Sequence, residues 1–139
     1  LVSLLETDDN AYVRRATAWS LANYDDQIVL EPLINALKND VAAVRLWSSS
    51  SLAEIGNVSL KNAQLAAEQL LISLKIDNEP GVRSNCIWSL CRLYEKLDNT
   101  FQESFVDECT KIALFDKEPS VMEEAKTALD SMGMQGFYN

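Results

Sequence analysis

The chain has 139 residues, enough for one domain that buries most of its unfolded surface. Hydrophobic residues make up 47%, which excludes a disordered chain, and 12 basic against 21 acidic residues leave a net charge of −9. No basic stripe is visible, so nucleic acid is excluded as a partner, anionic membrane is disfavoured, and the lean is toward basic partners.

In chain order, Leu1 to Glu6 reads as a partial helix. Tyr12 to Tyr24 follows, with Val13, Thr17, Ser20, Leu21 and Tyr24 on one face at the 3.6-residue period. Ile28 to Lys38 is a third helix, with Ile28, Pro32, Leu33, Ala36 and Leu37 apolar. Ala43 to Ile55 repeats the earlier face as Val44, Ser48, Ser51, Leu52 and Ile55. Leu60 to Lys75 precedes Gly81 to Lys96, whose face is Val82, Cys86, Ser89, Leu90 and Leu93. Phe101 to Phe115 precedes Ser120 to Met132, with Val121, Ala125, Ala128, Leu129 and Met132. Asp8-Asp9-Asn10 and Asn39-Asp40 offer N-caps, and Pro80 and Pro119 suit a first helical turn. Gly56-Asn57 and Gly133 read as helix stops, and the tail from Gly133 to Asn139 should leave Phe137 free to fold onto the last helix.

One phrase therefore recurs four times: Val13-Arg14, Val44-Arg45, Val82-Arg83 and Val121-Met122, at spacings of 31, 38 and 39 residues. A period in that range marks a stacked-repeat protein, and here each unit is a helical hairpin. The longer spacings add about two helical turns to the first helix of a pair, which preserves its apolar face. Offsets 4 and 7 in each phrase are always Thr, Ser, Cys or Ala, small enough for a neighbouring helix to approach closely.

The run Glu31-Pro32-Leu33-Ile34-Asn35-Ala36-Leu37, then Val44-Arg45, then Leu52-Ala53-Glu54-Ile55-Gly56-Asn57, resembles a HEAT-type repeat. More narrowly it is similar to the short HEAT-like repeats of the phycobilisome lyase family. The resemblance covers nearly the whole chain and is weakest at Met122, where the other units carry Arg. It implies an all-α, right-handed α-solenoid of about four HEAT-like helical hairpins, one domain over residues 1–139. It also implies, as the alternative function, a subunit of a bilin lyase or phycobiliprotein-handling complex with a bilin bound.

Arg14, Arg45 and Arg83 stand beside the core face at the start of each phrase, with Asp8 or Asp9, Asp40 and Asp77 in the turns before them. An inter-repeat ladder of Arg–Asp pairs is the expected use, since a guanidinium can grip a carboxylate with two hydrogen bonds. A row of anion-binding sites is the competing use. Opposite the core face lie Arg15 and Trp19 in the first unit, Leu46 and Ser50 in the second, and Trp88 and Cys91 in the third. Trp19 and Trp88 share an offset on either side of the small Ser50, so the expected partner site is a concave groove walled by two Trp rings. Trp47 points toward a neighbouring unit and belongs with the core. Acidic Glu95, Glu123 and Asp130 at the far end favour a basic or amphipathic protein segment.

Catalysis finds little footing. There is no His, hence no ordinary general base and no His-based metal site. No cofactor is expected, and adjacent acids such as Asp25-Asp26 and Glu123-Glu124 read as solvated surface. Cys86, Cys91 and Cys109 are odd in number and unpaired in spacing, which points to a reducing, cytoplasmic setting. There, Asn57-Val58-Ser59 is not a glycosylation site. No apolar run is long enough to span a membrane. Residue 1 is Leu inside an apolar pattern, so the chain reads as cut at its front, with Leu1, Val2 and Leu5 needing cover.

Overall fold

A computed structural model of the chain describes residues 1–24 and 27–134. Among the described residues eight α-helices follow one another: α1 (Val2–Thr7), α2 (Ala11–Ser20), α3 (Leu30–Asn39), α4 (Ala42–Gly56), α5 (Leu60–Ile76), α6 (Pro80–Leu93), α7 (Asn99–Phe115) and α8 (Pro119–Ser131). Among the described residues there is no strand. The chain is an α-solenoid of four hairpins, α1–α2, α3–α4, α5–α6 and α7–α8.

Local chemistry sets the helix ends. The side chains of Asn10, Ser59 and Asp98 accept from the backbone N–H of Tyr12, Asn62 and Phe101, capping α2, α5 and α7. Pro80 and Pro119 open α6 and α8. Three ends differ from the sequence reading. The helix expected to run to Tyr24 tightens to a 3₁₀ turn over Leu21–Asn23, and the one expected to reach Lys96 does so over Tyr94–Lys96. Ile28 lies in a 3₁₀ turn ahead of α3.

The two glycine stops are not alike. Gly133 has φ +75°, its N–H donates to the Asp130 carbonyl, and Met134 N–H donates to Leu129 at 2.7 Å, a Schellman end. Gly56 is instead the last helical residue of α4 and is buried; a Cβ there would stand 3.1 Å from Ala66 and from Leu93. Its lack of a side chain lets α4 close against α5 and α6. The expected placement of Phe137, and the acidic pair Asp25-Asp26, lie outside the described residues.

The even-numbered helices pack side by side in one continuous row, α2 on α4 on α6 on α8. The odd-numbered helices cover them, and that outer row opens between α5 and α7. A row that stays closed while its cover spreads lies on the inside of the curve. The core between the rows holds Leu33, Leu37, Leu52, Leu70, Leu90, Phe105 and Leu129. The small residues at offset 7 do more than make room. Ser51 Oγ donates to the Ala18 carbonyl and Ser89 Oγ to the Ser49 carbonyl, each at 2.6 Å, stitching α4 to α2 and α6 to α4. At the front edge Leu5 is buried and Val2 packs on the core, while Leu1 and Leu4 are exposed.

Candidate functional site

Two arrangements gather the side chains singled out in the sequence. The first runs along the turns. Arg14 Nε donates to Asp40 Oδ2 at 3.0 Å and Nη2 to Oδ1 at 2.9 Å, while Nη1 donates to the carbonyl of Asp8 at 2.8 Å. Arg45 repeats this on Asp77, at 2.8 and 3.1 Å, with Nη1 on the Asp40 carbonyl at 2.9 Å. Arg83 reaches Asp116 through Nη2 alone, at 2.9 Å, and leaves its Nε buried without a partner.

Each Arg thus holds its own turn by a carbonyl and the following turn by a carboxylate. Hydrogen bonding to Asp40 and to Asp77 raises the pKa of Arg14 and of Arg45, so both stay charged. The hollow beside them, 890 Å³ with Glu6 and Asp8 also in its wall, meets guanidinium groups already neutralised by carboxylates, a poor seat for an anion. Asp40 differs from the cap read in the sequence: Val41 precedes α4, and the Asp40 carboxylate serves Arg14 and the Val41 N–H. Asp116 is the ladder member that sequence reasoning missed. The signal was there, in Asp77-Asn78-Glu79-Pro80 and Asp116-Lys117-Glu118-Pro119, two turns of one pattern.

The second arrangement lies on the inner row. Tyr12, Ala16 and Trp19 fall on one face of α2 and, with Arg15 and with Trp47 from α4, enclose a hollow of 270 Å³. The Arg15 guanidinium stands 5.3 Å from the Tyr12 ring centre and 5.7 Å from that of Trp47. Trp19 is 57% exposed and Tyr12 72%. Trp47, read as core, packs on the core with part of its surface and lines the hollow with the rest.

The other expected groove residues lie elsewhere. Trp88 is 41% exposed and carries the Arg92 guanidinium 5.0 Å from its ring centre; Arg92 in turn meets Glu54 at 2.9 Å. One helix separates Trp88 from Trp19, roughly 16–20 Å at the usual helix spacing. Ser50, expected as an open floor, accepts from Asn85 Nδ2 at 2.7 Å, and Leu46 packs on the core. Asn85 also donates to the Leu46 carbonyl. The structure therefore brings Arg15 and Trp19 together with Tyr12, Ala16 and Trp47. It leaves Leu46, Ser50, Trp88 and Cys91 outside that hollow. Tyr12 and Ala16 were legible as sharing a helix face with Trp19, seven and three residues before it; the approach of Trp47 from the next unit was not.

Cys91 is half-buried, and burial pushes its thiol up to about 11. Burial pushes Cys86 and Cys109 up as well. None of the three is poised as a thiolate. Among the described residues no group of His, Cys, Asp or Glu could hold a metal ion, and no helix is long and apolar enough to cross a membrane.

A family model for HEAT repeats matches residues 1–91. No curated protein matches the chain.

Proposed function

The chain belongs to the HEAT-repeat family, and from that premise we propose that its inner row of helices binds a protein segment, with the hollow at Trp19 as the anchor. HEAT repeats generally serve as scaffolds for protein interaction. The observation that carries the reading is the solvent-facing hollow of Tyr12, Arg15, Trp19 and Trp47. Exposed aromatic rings around a dent the size of one or two side chains suit a large apolar residue of a partner. Glu95, Glu123 and Asp130 lie farther along the array. An amphipathic segment with one apolar anchor and basic residues toward that end fits both features. On this reading the protein is a binder and not a catalyst, and its three free cysteines suit a reducing, cytoplasmic setting.

The test compares wild type with Trp19→Ala as bait for partners from the native cell, followed by affinity measurement with the captured segment. Loss of an anchor of this kind weakens binding by about 2–4 kcal/mol. Unchanged affinity would remove the hollow from the account. The alternative, a role in bilin attachment or phycobiliprotein handling, draws on the resemblance of the Glu31–Asn57 run. The hollow is below the 300–1,000 Å³ typical of sites that enclose a ligand, which favours a side chain over a pigment. A shifted absorption band on mixing with a linear tetrapyrrole, absent in Trp19→Ala, would reverse that preference.

A further inference from the structure

The four units can be superposed in sequence on their turn aspartates, Asp8, Asp40, Asp77 and Asp116. Positions that are buried in three units are then bare in the first. Leu1, at 52% exposure, corresponds to Leu33, Leu70 and Cys109, all at 0%. Leu4, at 42%, corresponds to Ala36, Ser73 and Ile112, at 7%, 3% and 6%. In the register of the repeated Val-Arg phrase, one residue off the aspartate register in the second unit, Val13 is partly exposed where Val44, Val82 and Val121 are at most 1% exposed.

The polar chemistry of the joints is also left open there. Ser20 occupies the offset from which Ser51 and Ser89 donate to the helix before them, but its hydroxyl bonds back to the Ala16 carbonyl of its own helix. Asp8 is built like Asp77 and Asp116. Its Oδ1 accepts from a backbone N–H two residues on, at Asn10, as those of Asp77 and Asp116 do at Glu79 and Glu118. The other three carboxylates each receive an Arg from the unit before; among the described residues no guanidinium reaches that of Asp8. At the opposite end the Arg position holds Met122, so the last unit extends no guanidinium beyond itself.

We infer that the face formed by Leu1, Leu4, Val13 and Ser20, with Asp8 at its rim, is a docking surface for a further helical hairpin of the same repeat type, one that presents an arginine to Asp8 and a backbone carbonyl to Ser20. The three internal joints show what covers each of these positions, and the charge at Asp8 selects the sign of the partner's group. A second copy stacked head to tail would offer Met122 instead, and so lacks the rung.

The test joins a copy of residues 28–57 ahead of Leu1 through a glycine–serine linker and follows urea unfolding. The joined chain should unfold in one transition with a midpoint above that of the 139-residue chain. Asp8→Asn should lower the midpoint of the joined chain alone, and that effect should vanish when the copied arginine is changed to Met. Separate unfolding of the added hairpin, or an equal effect of Asp8→Asn with and without it, would overturn the inference. A second measurement uses the unextended chain. Leu4→Asp should leave its midpoint unchanged, whereas Ala36→Asp, the equivalent change one unit on, should unfold it. Unfolding by Leu4→Asp would make Leu4 core, and a dimer dissolved by Leu4→Asp would assign the face to a second copy; either result overturns the inference.

Discussion

Between α4 and α6, Ser89 donates to the Ser49 carbonyl, Asn85 spans to Leu46 and Ser50, and Arg45 grips Asp77 through two nitrogens. Between α6 and α8, Ala128 stands where the hydroxyl was, Glu124 takes the place of Asn85, and Arg83 holds Asp116 by one nitrogen with its Nε left over. Both joints nevertheless bury the same apolar ridge, with Val82, Leu90, Val121 and Leu129 at 1% exposure or less. Apolar packing is thus enough to stack a unit, and the polar rungs act on top of it. They fix register and orientation, because a two-pronged ion pair is satisfied at one geometry only. The joints also divide labour around the solenoid: the repeated polar residues serve them, while Tyr12, Trp19 and Trp88 face solvent.

The largest effect to look for is at Cys91, beside the less-stitched joint. If the thinner polar chemistry let α8 peel away, this thiol would behave like a free cysteine. Burial instead pushes it up to about 11, against an ordinary value of about 8.5. Alkylation at pH 8 should therefore be about 200-fold slower than for a free thiol, since the thiolate is the reacting form; fast labelling would break the comparison. The sign for stability follows. A thiol whose folded pKa lies above its unfolded value contributes fully below the unfolded one, so stability should fall as pH rises from the ordinary thiol range through about 11.

Next come the rungs. Asp77→Ala strands a largely buried guanidinium that had two bonds, and should cost about 2–3 kcal/mol, less than a fully buried pair because solvent reaches part of Arg45. Asp116→Ala removes one bond and should cost roughly half as much, both measured as urea midpoints; equal losses would mean the second nitrogen contributes nothing. Ser89→Ala should cost about 1 kcal/mol. Smallest is the reverse change, Ala128→Ser, which offers α8 the missing hydroxyl and should stabilise by less than about 1 kcal/mol. A loss instead would show that the α6–α8 joint is too tight for the added oxygen.

The helices were legible because they follow from periodicity, and periodicity is written into consecutive residues. Val44, Ser48, Ser51, Leu52 and Ile55 define one face whatever surrounds them. The Arg–Asp partners needed more, since Arg14 reaches past its own turn to Asp40. The repeat itself supplies that step, because equal offsets become neighbours when units stack. What stayed hidden depends on side-chain direction between units. Trp19 and Trp88 share an offset, yet Trp47 leans across to Trp19 while Trp88 turns to Arg92. Ser50 reads in the sequence as a small floor, and its use by Asn85 is a contact between residues far apart in the chain.

The central claim is that Trp19 faces a partner and is not required by the fold, and one experiment reaches it directly: urea unfolding of Trp19→Ala beside wild type, each with and without the captured partner segment. The free proteins should be equally stable within about 0.5 kcal/mol, as for surface changes, and the segment should raise the midpoint in wild type only. A Trp19→Ala chain that unfolds on its own, or one that the segment stabilises as strongly as wild type, would contradict it.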